Sequence, residues 1–218
     1  MLGLIGKKIG MTQLFSEKGH VIPVTVLEAG PCRVVQVKSM ENDGYAAAQL
    51  GFETVAERKL PKPERGHLVR HGSGALKHLR EFRLEAGAAE LKTGDTLDVT
   101  QFEVGARVDV VSTSKGHGFQ GVVKRHHFTG GRETHGSKTN DLPGSIGSSA
   151  WPSHVWKGKR LPGQMGNKRI TAQNLEVVKI DQDRNLLLVR GAVPGGSNTL
   201  VVITPSYKSL KERKKGSK

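Results

Sequence analysis

The sequence predicts a mainly β body interrupted by a long basic insertion, and three observations carry that reading. Short runs rich in Val, Leu and Ile recur along the 218 residues between Gly, Pro and Asp-Gly turn signals, the pattern of a barrel or sandwich. One stretch of 55 residues, Lys115 to Arg169, has ten Lys or Arg against the acids Glu133 and Asp141, with only twelve apolar residues, too few for a core. The whole chain carries 34 basic and 20 acidic residues, a formal net charge of +14, and such a surplus selects a polyanionic partner.

Taken in order, residues 10 to 38 read as three short strands. Gly10–Phe15 and Val21–Ala29 flank a turn-rich gap of hairpin length at Ser16-Glu17-Lys18-Gly19-His20. The Gly30-Pro31 breaker separates them from Arg33–Met40. Asn42-Asp43-Gly44 predicts a tight hairpin turn, because Asp-Gly supplies the positive φ such turns need, and Tyr45–Glu53 reads as the next strand. Pro63 near a first turn and Gly72 past an end predict a short helix between them. His78–Glu85, Thr96–Val104 and Arg107–Ser114 follow as strands.

Beyond the basic stretch, Asn174–Ile180 and Asn185–Val193 pair around Asp181-Gln182-Asp183-Arg184, and Asn198–Pro205 is a final strand. The basic stretch therefore leaves the body after Ser114 and returns at about Ile170, as an insertion between strands. The last residues, Tyr207–Lys218, read either as a solvated basic tail or as a further phosphate contact.

Composition also excludes. No apolar run approaches the ~18 residues that a membrane span needs. The N-terminus places Lys7 and Lys8 after a short apolar start, the reverse of a signal peptide, so the expected location is cytoplasmic. The single cysteine, Cys32, excludes an internal disulfide and a multi-cysteine zinc site, and reads as an inert buried thiol.

Within the insertion the residue types point to RNA. Lys157, Lys159, Arg160, Lys168 and Arg169 crowd into thirteen positions with too few acidic partners, and suit phosphate oxygens. Lys115, Lys124, Arg125, Arg132 and Lys138 extend that set along the stretch, and Lys7 and Lys8 join it from the N-terminus. His117, His126, His127, His135 and His154 lack the i, i+4 spacing of a zinc site and suit base stacking or phosphate bonds. Phe119, Phe128, Trp151 and Trp156 either pin the loop as a small apolar cluster or stack on unpaired bases. Gly118–Phe128 reads as a short helix with Val122 and Val123 turned inward and Lys124 and Arg125 outward.

Gly116–Gly121 loosely matches a glycine-rich phosphate loop, but lacks the parallel unit and the following acid that a nucleotide site requires. No catalytic constellation stands out. His126 and His127 as a nucleolytic acid–base pair, and a free DNA-binding protein, are the rival readings.

At this point the motifs carry a resemblance. GLIGKKIGMTQLF (Gly3–Phe15), SKGHGFQGVVKRHHF (Ser114–Phe128), THGS (Thr134–Ser137), PGSIG (Pro143–Gly147), VWKGKRLPGQMGN (Val155–Asn167), NLEVV (Asn174–Val178) and NLLLVRGAVPG (Asn185–Gly195) together resemble the bacterial large-subunit (50S) ribosomal protein L-three family, in order and over nearly the whole length. The resemblance implies a six-stranded β-barrel of the translation-factor type built from residues 1–114 and 170–218. It further implies a small α+β insert at about 55–95 and an irregular RNA-binding extension at 115–169.

It implies a non-catalytic protein that binds 23S rRNA near its 3′ end, nucleates early subunit assembly and reaches toward the peptidyl transferase centre. No cofactor, metal, membrane or small-molecule substrate is implied. Implied partners besides 23S rRNA are the neighbouring proteins L-fourteen and L-nineteen. A glutamine methyltransferase is a further one, since some members carry N5-methylglutamine at the position of Gln164. The family's loop tip maps onto Gly144–Lys159. There, Ser148–His154 is less basic than in related chains, and Trp156 stands where Phe or Tyr is usual.

Overall fold

The computed structural model describes residues 3–84 and 91–208, and it is mainly β. The expected tail from Ser209 onward lies outside the described residues, as does the end of the expected strand at Glu85. The contacts divide the chain into two units, residues 1–113 with 169–218 and residues 114–168.

The first unit begins with a hairpin. Strands β1 (Leu4–Phe15) and β2 (Val21–Ala29) pair antiparallel from Gly6–Ala29 to Phe15–Val21. Gly19, at φ 78°, turns the chain between them, its amide donating to the Ser16 carbonyl at 2.9 Å. Further along come β7 (Arg107–Thr113), β10 (Arg169–Asp181), β11 (Leu186–Arg190) and β12 (Leu200–Pro205). Each of these six strands is bonded to two others, in the closed order β1-β12-β7-β10-β11-β2.

Strand side chains alternate between faces, and the buried ones are the branched aliphatics: Val108 and Val110, Leu187 and Val189, Val201 and Ile203. Among the buried polar side chains of these strands, which include Thr25 and Ser112, is Asp109. Its carboxylate accepts from the Asn174 amide at 2.7 Å and the Tyr207 amide at 3.1 Å, anchoring two neighbouring segments. Asn174 takes φ 60° where the β7–β10 register shifts between Ala172 and Leu175, so the buried carboxylate satisfies the amide that this bulge frees.

β1 starts earlier than the sequence suggests, because the charges at Lys7 and Lys8 hide an otherwise apolar strand. Lys8 is buried, and its ammonium donates to the carbonyls of Val193 at 2.8 Å and Gly195 at 3.2 Å. Lys7 pairs with Glu53 at 2.6 Å.

A second sheet follows the order β5-β4-β3-β6. Its strands are β3 (Cys32–Lys38), β4 (Ala47–Thr54), β5 (Leu76–Arg83) and β6 (Thr96–Leu97). The small insert thus begins well before the expected residue 55, since β3 and β4 pair with β5 and β6 and not with the six-strand set. Asp43 does not form a two-residue turn. Met40–Asp43 is one helical turn (α1), capped by Ser39 and ended by Gly44 at φ 75°. The Thr96–Val104 strand is also shorter than expected. Residues Val99–Gln101 coil into a 3₁₀ turn, which brings Val99 and Phe102, three apart, to one buried side.

Helix α2 (Lys62–Arg70) forms as expected, with Pro63 in its first turn and Gly72 at φ 63° past its end. It buries Leu68 against Val35 and Leu76. The remaining apolar side chains of the sheet, among them Val34, Leu50, Phe52 and Phe82, share one core with Leu4, Leu27 and Ile203. Cys32 lies inside this core, where its thiol donates to the Ile5 carbonyl at 3.2 Å and burial pushes it up to about 12. It is protonated and inert at neutral pH. No helix among the described residues is long and apolar enough to cross a membrane.

Glu53 ties the sheet to β1. Its carboxylate meets Lys7 at 2.6 Å, Lys77 at 3.3 Å and His78 at 3.4 Å, and the Lys7 bond above all holds it below its usual 4.5. A carboxyl lowered in the folded state stabilises fully above its unfolded value and loses that contribution as pH falls through the folded one. Glu53→Gln should therefore destabilise by up to about 1 kcal/mol at pH 7. Urea melts of both proteins should converge below pH 4.5. A gap that persists unchanged into acid would show that the charge is not what matters.

Candidate nucleic-acid interface

The second unit, Ser114–Lys168, is built on a glycine-spaced neck. At its base the Ser114 amide donates to the Lys168 carbonyl at 2.9 Å, and the Lys168 amide returns to Ser114 Oγ at 3.3 Å. The His117 amide donates to Met165 at 2.9 Å. Then β8 (Gly118–Gln120) and β9 (Gly163–Met165) pair, with Phe119 opposite Gln164. Gly166 is required here: it sits at φ 72°, and a Cβ would collide with the Lys115 carbonyl.

Helix α3 (Val122–His126) is shorter than the expected Gly118–Phe128, because Gly118–Gln120 is drawn into pairing with β9, and it stops at His127, which adopts the left-handed conformation at φ 61°. Val122 is buried, but Arg125 does not point outward as the sequence suggests. Its guanidinium folds over Gly163, its Nη1 2.9 Å from where a Cβ would stand, and donates to the Leu161 carbonyl at 2.5 Å. His126 Nε2 lies 3.1 Å from the same oxygen. The two residues pin the return leg, so the structure gives them an internal role. Lys7 and Lys8 likewise have internal partners, because an ammonium inside protein must be met by acceptors.

A second crossing lies further out. The Gly131 amide donates to Asn140 at 2.9 Å, and a Cβ on Gly131 would sit 2.6 Å from Thr139 Oγ1. An open concavity of about 540 Å³ lies beside it, between His127–Gly131 and Thr139–Gly144. Beyond that, hydrogen bonds are local. Ser145 Oγ donates to Gly147 at 3.1 Å, Ser153 Oγ donates to Ala150, and His154 Nδ1 lies 2.7 Å from the Pro152 carbonyl.

The aromatic side chains do not form a buried cluster. Phe119 is 76% exposed, Trp151 77% and Trp156 57%, with His154 edge-on to Trp156 at 5.3 Å between centroids. Phe128 is half-buried beside His126. Lys115, His117, Lys124, Arg132, His135, Lys138, Lys157, Lys159, Arg160 and Lys168 are all exposed, as is Arg169 at the start of β10. No ion pair involves a Lys or Arg of this unit among the described residues. No group of three or more potential metal ligands is found among them either. Gln164 is exposed on β9, its amide nitrogen 3.2 Å from the Met165 carbonyl.

Such an arrangement attracts phosphate with unneutralised cations and offers flat rings to bases. The neck residues Gly163 and Gly166, and the pinning role of Arg125, escaped the sequence reading. The two glycines three apart in Pro162–Asn167 were their only signal.

Comparison with known proteins gives a consistent result. A family model described as Ribosomal protein L3 matches residues 82–185. A protein of Trichlorobacter lovleyi named Large ribosomal subunit protein uL3 is 56% identical over 209 residues, 96% of this chain and 99% of its own length. Proteins of the same name from Pelobacter propionicus and Geobacter sulfurreducens are each 52% identical, over 95% and 94% of this chain and 99% and 98% of their own lengths.

Gly166→Ala should loosen the neck without unfolding the first unit, since the strain and collision are local, of order 1–3 kcal/mol. In amide exchange of the free protein, the His117 amide should exchange faster in the variant, with β7 and β12 unchanged. Equal protection at His117 would show that the neck does not depend on this close approach.

Proposed function

Since the chain belongs to the ribosomal protein L3 family, we propose that it is a structural rRNA-binding protein of the large ribosomal subunit, working in the cytoplasm. It is not an enzyme; its relatives are ribosomal structural proteins. The observation that carries the reading is the second unit: nine Lys or Arg without ion-pair partners among the described residues, all exposed but Arg125, beside exposed tryptophans on a glycine-spaced neck.

The mechanism follows from charge and shape. Closely packed RNA strands repel through their phosphates, and each Lys or Arg placed between them releases counterions and lowers that repulsion. Glycines keep the backbone thin where strands crowd, and Trp151 and Trp156 offer faces to unstacked bases. In this reading residues 114–168 thread into RNA, and the six-strand set, a barrel of the translation-factor type, docks on the RNA surface. The target is 23S rRNA near its 3′ end, bound early in assembly, with Gly144–Lys159 directed toward the peptidyl transferase centre. Neighbouring proteins L-fourteen and L-nineteen complete the surroundings. Exposed Gln164 on β9 is accessible to a glutamine methyltransferase before RNA covers it.

The triple variant Lys157→Ala, Lys159→Ala, Arg160→Ala should lower the salt dependence of binding to a large-subunit rRNA transcript by about 2 in log–log slope. Wild type should prefer that transcript to duplex DNA at equal salt. Equal affinity for both would refute the ribosomal reading. Cells relying on a chain lacking residues 131–168 should show depleted large subunits in sucrose gradients; a normal profile would do the same damage.

A further inference from the structure

A second basic surface lies outside the extension, on α2. Lys62, Arg65 and Arg70 are exposed, and none is in an ion pair among the described residues. At 3.6 residues per turn they fall on one side of the helix, with Gly66 and Val69 between them, opposite the flank that carries His67. Leu68 is turned into the core against Val35 and Leu76, so the helix orientation is fixed and the basic face points away from the protein. Arg58 and Lys59, in the 3₁₀ turn just before, are exposed as well. The acids next to these residues in the sequence are Glu57 and Glu64, and Glu64 lies off this face by helical rotation; Glu81 is reached through Gln49 on the flank of His67.

Gly66 is unexplained by folding. It sits inside the helix, its φ is not positive, and a Cβ there would meet nothing within 4 Å. Glycine in a helix interior costs stability relative to alanine, so the fold alone favours a side chain here. A bare backbone at the centre of a basic face has a use when another surface must come close.

We propose that this face of α2 is a second RNA contact that takes the phosphate backbone of a duplex segment. The face holds no exposed aromatic ring, unlike residues 114–168, so it lacks the stacking platform that unpaired bases require. Three cations around the bare backbone at Gly66, with only the small side chain of Val69 beside it, fit a ridge of phosphates read by shape. The proposal rests on the rRNA-binding reading and adds a site to it.

The test uses full-length chains and two variants: Lys62→Ala/Arg65→Ala/Arg70→Ala, and the extension variant Lys157→Ala/Lys159→Ala/Arg160→Ala. Affinity for a full-length large-subunit rRNA transcript is measured across salt, with a short RNA duplex and single-stranded poly-uridine as competitors. Thermal melts show whether each variant is folded. The α2 variant should melt like wild type, bind about tenfold more weakly and lose about 2 in salt slope. The duplex should compete less well against its remaining binding. In parallel, Gly66→Glu should weaken binding through a single exposed position. If both α2 variants bind like wild type while the extension variant is weakened, this inference is overturned and the extension reading stands. If wild type does not prefer the transcript to duplex DNA, both fall together.

Discussion

The structure depends on a mismatch between charge and burial. Residues 114–168 hold too little apolar surface to close a core and too many cations to neutralise one another. Such a segment keeps a defined path only where backbone groups bond to each other and where glycine lets two strands meet. The protein meets this constraint at few points. In the first unit, Arg169 stands opposite Thr113 on β10 and β7. In the second, Ser114 is bonded to Lys168, His117 to Met165, and Arg125 to Leu161. Outward of Asn140 the contacts are local, and that is where the exposed rings of Trp151 and Trp156 lie.

The same constraint explains why basic residues have divided roles. Lys8 and Arg125 sit where protein carbonyls converge, and each donates to them. Lys157, Lys159 and Arg160 are exposed with no ion-pair partner among the described residues, so an external anion is what balances them. Position in the fold, rather than residue type, separates a positioning cation from a binding one. The helix α2 gives a third case: its hydrophobic side is satisfied by Leu68, and its basic side is satisfied by nothing among the described residues.

Much of this was legible in the sequence. Aliphatic runs such as Leu186–Val189 and Val201–Ile203 marked strands because burial selects branched side chains there. The insertion was legible from its charge. Less so were features that depend on tertiary partners. The start of β1 was masked by Lys8, whose burial depends on carbonyls of Val193 and Gly195, far along the chain. The membership of β3 and β4 in a second sheet follows from pairing with β5, which local pattern does not encode. The Val99–Phe102 turn reads as a strand until its two apolar residues are seen to share one buried side. Arg125 has the local signature of an outward cation, and only the glycine at position 163 reveals the space it fills.

The claim that residues 114–168 are the principal RNA-contacting part is tested most directly by photo-cross-linking intact large subunits and mapping RNA adducts on this chain by mass spectrometry. The account predicts adducts concentrated at the exposed rings Phe119, Trp151 and Trp156 and in the peptides around them. Adducts confined to β1–β7 and β10–β12, with none between Ser114 and Lys168, would contradict it.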